Sequence, residues 1–183
     1  MKKYIITGPP GSGKSSIMFS GEMDYGYHVV REVAEDYIKK RQAAGIKEPW
    51  TEANFQERIL EIQVQRESRI PVDAGIVWLD RGIPDGLAYV KEGAGLYDRI
   101  IDEFKKSDQI MPYERTCFLI MPLKAVETNE VRRENYDEAI AIGNNLEGIY
   151  KKLGFEVIKI DAGKPFDLEG RERQIVDVVG KNY

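Results

Sequence analysis

A three-layer α/β domain built on a parallel β-sheet is what this sequence predicts, and three observations carry the prediction. Short apolar, β-branched runs alternate with apolar-periodic helical stretches along the whole chain. Two of those runs, Ile76–Leu79 and Thr116–Met121, are continuously apolar, as strands buried on both faces of a sheet must be. The first run passes through a glycine-rich turn straight into a helix, which is the start of a βαβ unit.

In chain order, Lys3–Thr7 reads as a strand, followed by a helix from Lys14. His28–Val30 is the second strand. Glu32–Ala44 repeats apolar residues at Val33, Tyr37 and Ile38, one helical face, and Gly45 stops it. A long helix over Thr51–Arg69 follows from Phe55, Ile59, Ile62 and Val64, with Thr51 as its N-cap and Pro71 beyond its end. Ile76–Leu79 and Thr116–Met121 are central strands, separated by helical stretches at Ile83–Lys91 and Leu96–Lys106. Tyr136–Leu153 is helical, Glu156–Ile160 is the last strand, and a final helix covers Asp167–Val179. Right-handed crossovers then cover both faces of one parallel sheet. A chain of 183 residues suits a single domain, residues 1–183, able to bury roughly 70% of its unfolded surface.

Composition narrows the function. A net charge of −4 argues against nucleic-acid binding, which draws affinity from many cations neutralising phosphates. Small anions stay open as ligands. Cys117 is the sole cysteine, so disulfides and cysteine-rich metal sites are excluded, a pattern that suits a cytoplasmic protein. Within TCFLIM it reads as core filler. No apolar stretch approaches the roughly 20 residues of a membrane span.

Four segments carry chemistry. The first, GPPGSGKS, matches G-x-x-x-x-G-K-[ST] between a strand and a helix, where a phosphate-binding loop must sit. Its Gly8, Pro9, Pro10, Gly11, Ser12, Gly13, Lys14, Ser15 and Ser16 form the expected nucleotide site, because glycines let backbone N–H groups turn inward around a phosphate. Lys14 reaches the β- and γ-phosphates and the Ser15 hydroxyl ligates Mg²⁺. The second, VWLDRG, ends a buried strand in Asp80, a magnesium-side carboxylate, with a helix N-cap as its competing role. Where many ATPases place a water-activating Glu, Arg81 supplies a fixed cation, which tilts the site from hydrolysis towards transfer. The third, VVREVAEDY, sets Arg31 and Glu32 at the end of the second strand. Glu32 either orients or deprotonates an acceptor hydroxyl, or complements a helix dipole, and both readings stand. The fourth, NEVRRENY, offers Arg132 and Arg133 in the polar stretch of about 122–136 between the fourth strand and the next helix, either as cations over the spreading charge of a transferred phosphoryl group, as a late-closing lid supplies them, or as a plain solvated charge run. Trp50 and Trp78 read as core and rim, and His28 has no role.

Together these segments resemble the NadR/Ttd14-type AAA domains, a P-loop kinase-like family related to nucleoside and thymidylate kinases. YIITGPPGSGKSS, GYHVVREVAEDYI, FQERILEIQ, WLDRGIPDGLAYV, VRRENYDEA and IYKKLGFEVIKI follow the family order over nearly the whole chain. The resemblance implies a P-loop NTPase fold with a five-stranded parallel sheet ordered 2-3-1-4-5. It also implies ATP, or GTP, with Mg²⁺, Glu32 and Asp80 near a phosphate acceptor, Arg81 on an anionic group, and Arg132 in the lid. The function expected is ATP- and Mg²⁺-dependent phosphoryl transfer to a small hydroxyl- or phosphate-bearing molecule. The rival is a nucleotide-binding switch with slow ATP or GTP hydrolysis and a protein or lipid partner, although the guanine-reading [NT]-K-x-D signature is absent. A motor-type ATPase lacks its Asp-Glu pair here.

Overall fold

The computed structural model describes residues 1–122, 136–160 and 167–181. Strands and helices alternate along it: β1 (Lys2–Thr7), α1 (Lys14–Met23), β2 (His28–Val30), α2 (Val33–Ala43), α3 (Phe55–Glu67), β3 (Ile76–Asp80), α4 (Gly95–Ile110), β4 (Tyr113–Ile120), α5 (Tyr136–Lys152), β5 (Glu156–Ile160) and α6 (Leu168–Lys181). All strand pairings are parallel, in the order β2-β3-β1-β4-β5, as the resemblance implies.

The two-residue period of the strands sorts the core into two layers. Tyr4, Ile6, Trp78, Phe118 and Ile120 pack with Ile17 and Met18 of α1 and with Ile175 and Val179 of α6. Ile5, Val77, Leu79, Cys117 and Leu119 face the other way, against Leu60 of α3, Ile100 and Phe104 of α4, and Leu146 and Tyr150 of α5. Cys117 is thus core, as expected, and its burial pushes the thiol well above its usual range. Each wholly buried aliphatic or aromatic side chain contributes roughly 1.5–3 kcal/mol, so the central strands anchor the fold.

Three local expectations need correction. Thr51 is not the N-cap of α3: it closes a short 3₁₀ turn, Pro49–Thr51, donating its hydroxyl to the Glu48 carbonyl at 2.8 Å, and α3 starts only at Phe55. Residues Ile83–Tyr89 wind as a 3₁₀ helix, because Pro84 and Gly86 weaken an α-helix and Asp85 is drawn inward. β4 begins at Tyr113, three residues early, where its ring joins Phe104 and Phe155.

The register brings function-bearing ends together. Ile6 of β1 lies beside Asp80 of β3, and Val30 of β2 beside Leu79. The carboxyl ends of β1, β2 and β3 therefore open on the same edge, the edge where open α/β sheets bind ligands.

Candidate active site

The loop Gly8–Ser15 connects β1 to α1 through three left-handed glycines, and two of them show why no other residue fits. A Cβ on Gly8 would stand 2.3 Å from the Ile120 carbonyl oxygen. Gly13 precedes α1 at φ 89°, and a Cβ there would meet the Arg171 guanidinium at 3.3 Å. That guanidinium reaches in from α6, donating to the Ser12 carbonyl at 2.7 Å and the Met121 carbonyl at 3.2 Å. It clamps the loop to the end of β4 from behind. Lys14 is the first residue of α1, with its side chain only 4% exposed, while Ser15 and Ser16 are open to solvent. Burial and then the Arg81 charge push Lys14 below its ordinary value, against the pull of Glu32, Asp80 and Asp85. A phosphate arriving at this helix start would meet backbone N–H groups and relieve that strain.

Asp80 ends β3 on the same face as Trp78, towards α1. Its Oδ1 is buried and has no hydrogen-bond partner among the described residues. Burial raises its pKa to about 6, Glu32 adding to the rise while Lys14 and Arg81 oppose it. A buried carboxylate oxygen with no hydrogen-bond partner is a donor that suits Mg²⁺, which keeps several waters and takes further oxygens from phosphates. No larger group of metal-ligating side chains occurs among the described residues.

Arg81 has φ 70°, alone among the described non-glycine residues in the left-handed region. Such a conformation costs on the order of 1–3 kcal/mol and persists only where the surroundings enforce it. Here they do. Its N–H donates to the Ile6 carbonyl at 3.0 Å, and its carbonyl accepts from the Gln63 amide at 3.2 Å. Gly82 N–H donates to Asp85 at 2.9 Å, and Ile83 N–H to Glu67 at 3.3 Å. Asp85 also accepts from the Thr7 and Tyr150 hydroxyls, and Glu67 from Lys3 at 3.2 Å. The turn is thus bolted to β1, α3 and α5 by buried polar side chains.

Its product is a fixed guanidinium, with Nε 3.2 Å from Glu32 Oε1 and NH1 3.3 Å from Asp85 Oδ1. Burial alone would lower Arg81, but Glu32, Tyr89, Asp85 and Asp80 outweigh it and hold it well above its ordinary value. Glu32, at the exit of β2, turns its other oxygen to Lys14 Nζ at 3.8 Å. One carboxylate therefore spans the phosphate-loop lysine and the Arg81 turn. Beyond it opens a cavity of about 500 Å³, lined by Glu32, Arg81, Phe55, Trp50, Tyr89 and their neighbours.

Glu32, Arg81 and Phe55 line this cavity; Arg31 and Arg58 do not. Arg31 turns to Glu22 of α1, and Arg58 pairs with Glu61 at 2.7 Å. Trp78 is core as expected, whereas Trp50 lines the cavity. Arg132, Arg133, nearly all of the lid segment and the loop 161–166 lie outside the described residues. Gln63, Glu67, Asp85 and Arg171 went unrecognised. The run DRGIPDG hints at Asp85, an acid beside apolar neighbours just after a strand; the other three have no local signal.

A P-loop fold of the kinase type, with its phosphate loop, strand-end aspartate and adjoining cavity on one sheet edge, is the class these features define. The chain belongs to the AAA domain family, whose pattern matches residues 3–167. Among solved structures it is similar to the NadR protein in complex with NR, with TM-score 0.72 and 20% identity over 98% of this chain. It spans about half the length of that protein, covering 50% of it. A second NadR structure, with NAD and AMP-PNP, gives TM-score 0.69 at 18% identity. Deoxyadenosine kinase from M. mycoides, with the product dCMP, gives 0.67 at 16% identity over 100% of both chains. No curated protein sequence matches the chain.

Proposed function

We propose that the protein transfers the γ-phosphoryl group of ATP, with Mg²⁺, to a small acceptor bound in the cavity beside Arg81. The observation that supports this most is Glu32, whose two carboxylate oxygens face Lys14 and Arg81 at the boundary between phosphate loop and cavity. A hydrolase needs a carboxylate aimed at water; a transferase needs one where donor and acceptor meet.

In this reading the loop N–H groups and Lys14 hold the phosphates, with GTP as the alternative donor. Ser15 and Asp80 would hold Mg²⁺, which neutralises charge developing on the β- and γ-phosphate oxygens. Lys14 exchanges Glu32 for the phosphates, leaving that carboxylate to the acceptor. The acceptor oxygen attacks the γ-phosphorus, the bond to the β–γ bridging oxygen breaks, ADP leaves with the electron pair, and the acceptor proton passes to Glu32. Arg81 fixes Glu32 and lies beside the incoming group. Arg132, in the lid segment of about 122–136, stabilises the transferring phosphoryl charge, and residues 1–183 act as one cytoplasmic kinase domain. NadR and deoxyadenosine kinase share this fold and were solved with NR and with nucleotides, which supports a nucleoside-sized acceptor.

The test is acceptor-dependent ADP release across nucleosides, nucleotides and vitamin-like alcohols, for wild type and Glu32→Gln. Transfer should fall by about 10²- to 10⁴-fold in the variant, the worth of a positioned base, with nucleotide affinity nearly unchanged. A slow rate that no acceptor stimulates, equal in both proteins, would remove this proposal and favour the switch.

A further inference from the structure

We infer that Glu67, a buried glutamate behind the cavity wall, is a positioning residue for the proposed transfer: it holds the turn after β3 so that Arg81 stays against Glu32. This role rests on the phosphoryl-transfer reading and adds to it a residue outside the cavity.

Glu67 closes α3 with its side chain 2% exposed, and it does not line the cavity. Its two oxygens serve different partners. Oε2 accepts from Lys3 of β1 at 3.2 Å, from Ser107 of α4 at 3.3 Å and from the Tyr113 hydroxyl of β4. Oε1 accepts from the Ile83 N–H at 3.3 Å and from the Gln63 amide at 3.0 Å, and that amide also donates to the Arg81 carbonyl at 3.2 Å. One carboxylate therefore holds both peptide groups that flank Gly82, one directly and one through Gln63, and ties them to two central strands and a helix.

Stability alone does not account for the Lys3–Glu67 pair. A salt bridge taken wholly out of water gains little over apolar side chains of the same size, because desolvation offsets the attraction. Lys3 is 0% exposed, and burial pulls it below its ordinary value in spite of Glu67. Two methionines would fill the same space between sheet and helix. They would not accept from the Ile83 N–H or from Gln63, and those bonds fall where the backbone is forced. Arg81 stands at φ 70°, and from that conformation its Nε reaches Glu32 at 3.2 Å. With Oε1 gone the turn relaxes, and the guanidinium swings away from Glu32. Asp85 grips the same turn through the Gly82 N–H and the Arg81 side chain, but Asp85 lines the cavity. Glu67 is the member of this network whose effect on transfer must pass through the turn.

The experiment compares two proteins that both lack the buried ion pair, Lys3→Met with Glu67→Gln and Lys3→Met with Glu67→Met, by acceptor-dependent ADP release. Glutamine keeps an oxygen that accepts from the Ile83 N–H, and methionine does not. The glutamine protein should keep kcat within about threefold of wild type, whereas the methionine protein should lose about 10- to 100-fold, the scale of a misplaced catalytic group. Both should bind a fluorescent ATP analogue within about threefold of wild type, and their melting temperatures should agree within about 5 °C. On an Arg81→Ala background the exchange of glutamine for methionine should change kcat/KM by less than about threefold, because the group it positions is gone. Equal kcat in the two folded proteins overturns the role. So does a methionine effect that persists in full without Arg81, which is the mark of a merely structural residue. Gln63→Met, which leaves the Lys3–Glu67 pair intact and strips the Arg81 carbonyl of its partner, serves as the second variant. It should show a similar loss only where Arg81 is present, and unchanged turnover there overturns the role even if the methionine protein does not fold. Wild type with no acceptor-dependent turnover removes the phosphoryl-transfer reading and this role with it.

Discussion

Asp80→Asn should stabilise the nucleotide-free protein while abolishing its response to nucleotide. The carboxyl ionises at about 6 in the folded chain and at about 3.9 in an unfolded one. At 1.36 kcal/mol per unit, keeping it ionised and buried costs on the order of 3 kcal/mol at neutral pH. The sign follows from proton binding. Below about pH 4 both states are protonated and nothing is lost; between about 4 and 6 the folded state holds more protons, so stability declines as pH rises; above about 6 the whole cost is present. Asparagine has the same shape and no charge. Its amide, buried with one hydrogen bond unmet, takes back part of the gain. The unfolding free energy should therefore rise by about 1–3 kcal/mol at pH 7.5 and by about half as much at pH 5. Urea titrations followed by tryptophan fluorescence across that range measure both values. ATP with Mg²⁺ should then stabilise wild type by ligand linkage and leave the variant nearly unmoved. A variant that is less stable than wild type at pH 7.5, or a difference that does not grow from pH 5, refutes the account of Asp80 as a charge kept for a ligand.

Three further outcomes follow from the same geometry. Lys14→Ala removes a buried cation and no core volume, so turnover should fall by at least about 100-fold in a protein that keeps its circular dichroism spectrum; unchanged turnover would sink the phosphate-loop assignment. Arg171→Met strands the buried Ser12 carbonyl and the half-buried Met121 carbonyl, and with two charge-assisted bonds lost, affinity for a fluorescent ATP analogue should drop by about 10- to 150-fold. An affinity within twofold would make Arg171 a structural residue only. Gly21→Ala places a methyl 2.4 Å from the Trp78 ring, so the protein should lose about 1–3 kcal/mol in thermal unfolding yet bind nucleotide normally once folded.

The sheet was legible because parallel strands are buried on both faces and therefore written as unbroken apolar runs. Ile76–Asp80 carries that signal to within a residue, whereas Glu156–Ile160, written EVIKI on the sheet edge, is marked by its place after the helix and Gly154. The phosphate loop was legible because its glycines are demanded by backbone geometry, which leaves a spacing in the sequence. What stayed hidden are side chains whose partners are remote. Arg171 meets Ser12 across 159 positions, and Gln63 meets Arg81 across 18. A buried glutamate such as Glu67 looks, in one dimension, like any acid on a helix surface. Arg31 stands at the strand end where the sequence puts it, but its partner, Glu22 of α1, has no local signal either. Thr51 carried a cap signal that a 3₁₀ turn consumed first.

Glu32 hangs from β2, an edge strand of three residues, whereas Lys14 and Asp80 hang from β1 and β3, with β1 in the middle of the sheet. On the proposed reading, the phosphate contacts sit in the interior of the sheet and the Glu32 contact on its edge, which is expected to open first. Amide exchange should divide the same way, slow through β1 and β3 and fast through β2 and α2. The cavity positions Glu35, Ile38, Trp50 and Ile59 stand outside both buried core clusters, so changes there draw on little of the core that keeps the chain folded. A laboratory seeking new acceptors for this scaffold should vary Glu35, Ile38, Trp50 and Ile59, and leave the strand ends of β1 and β3 alone.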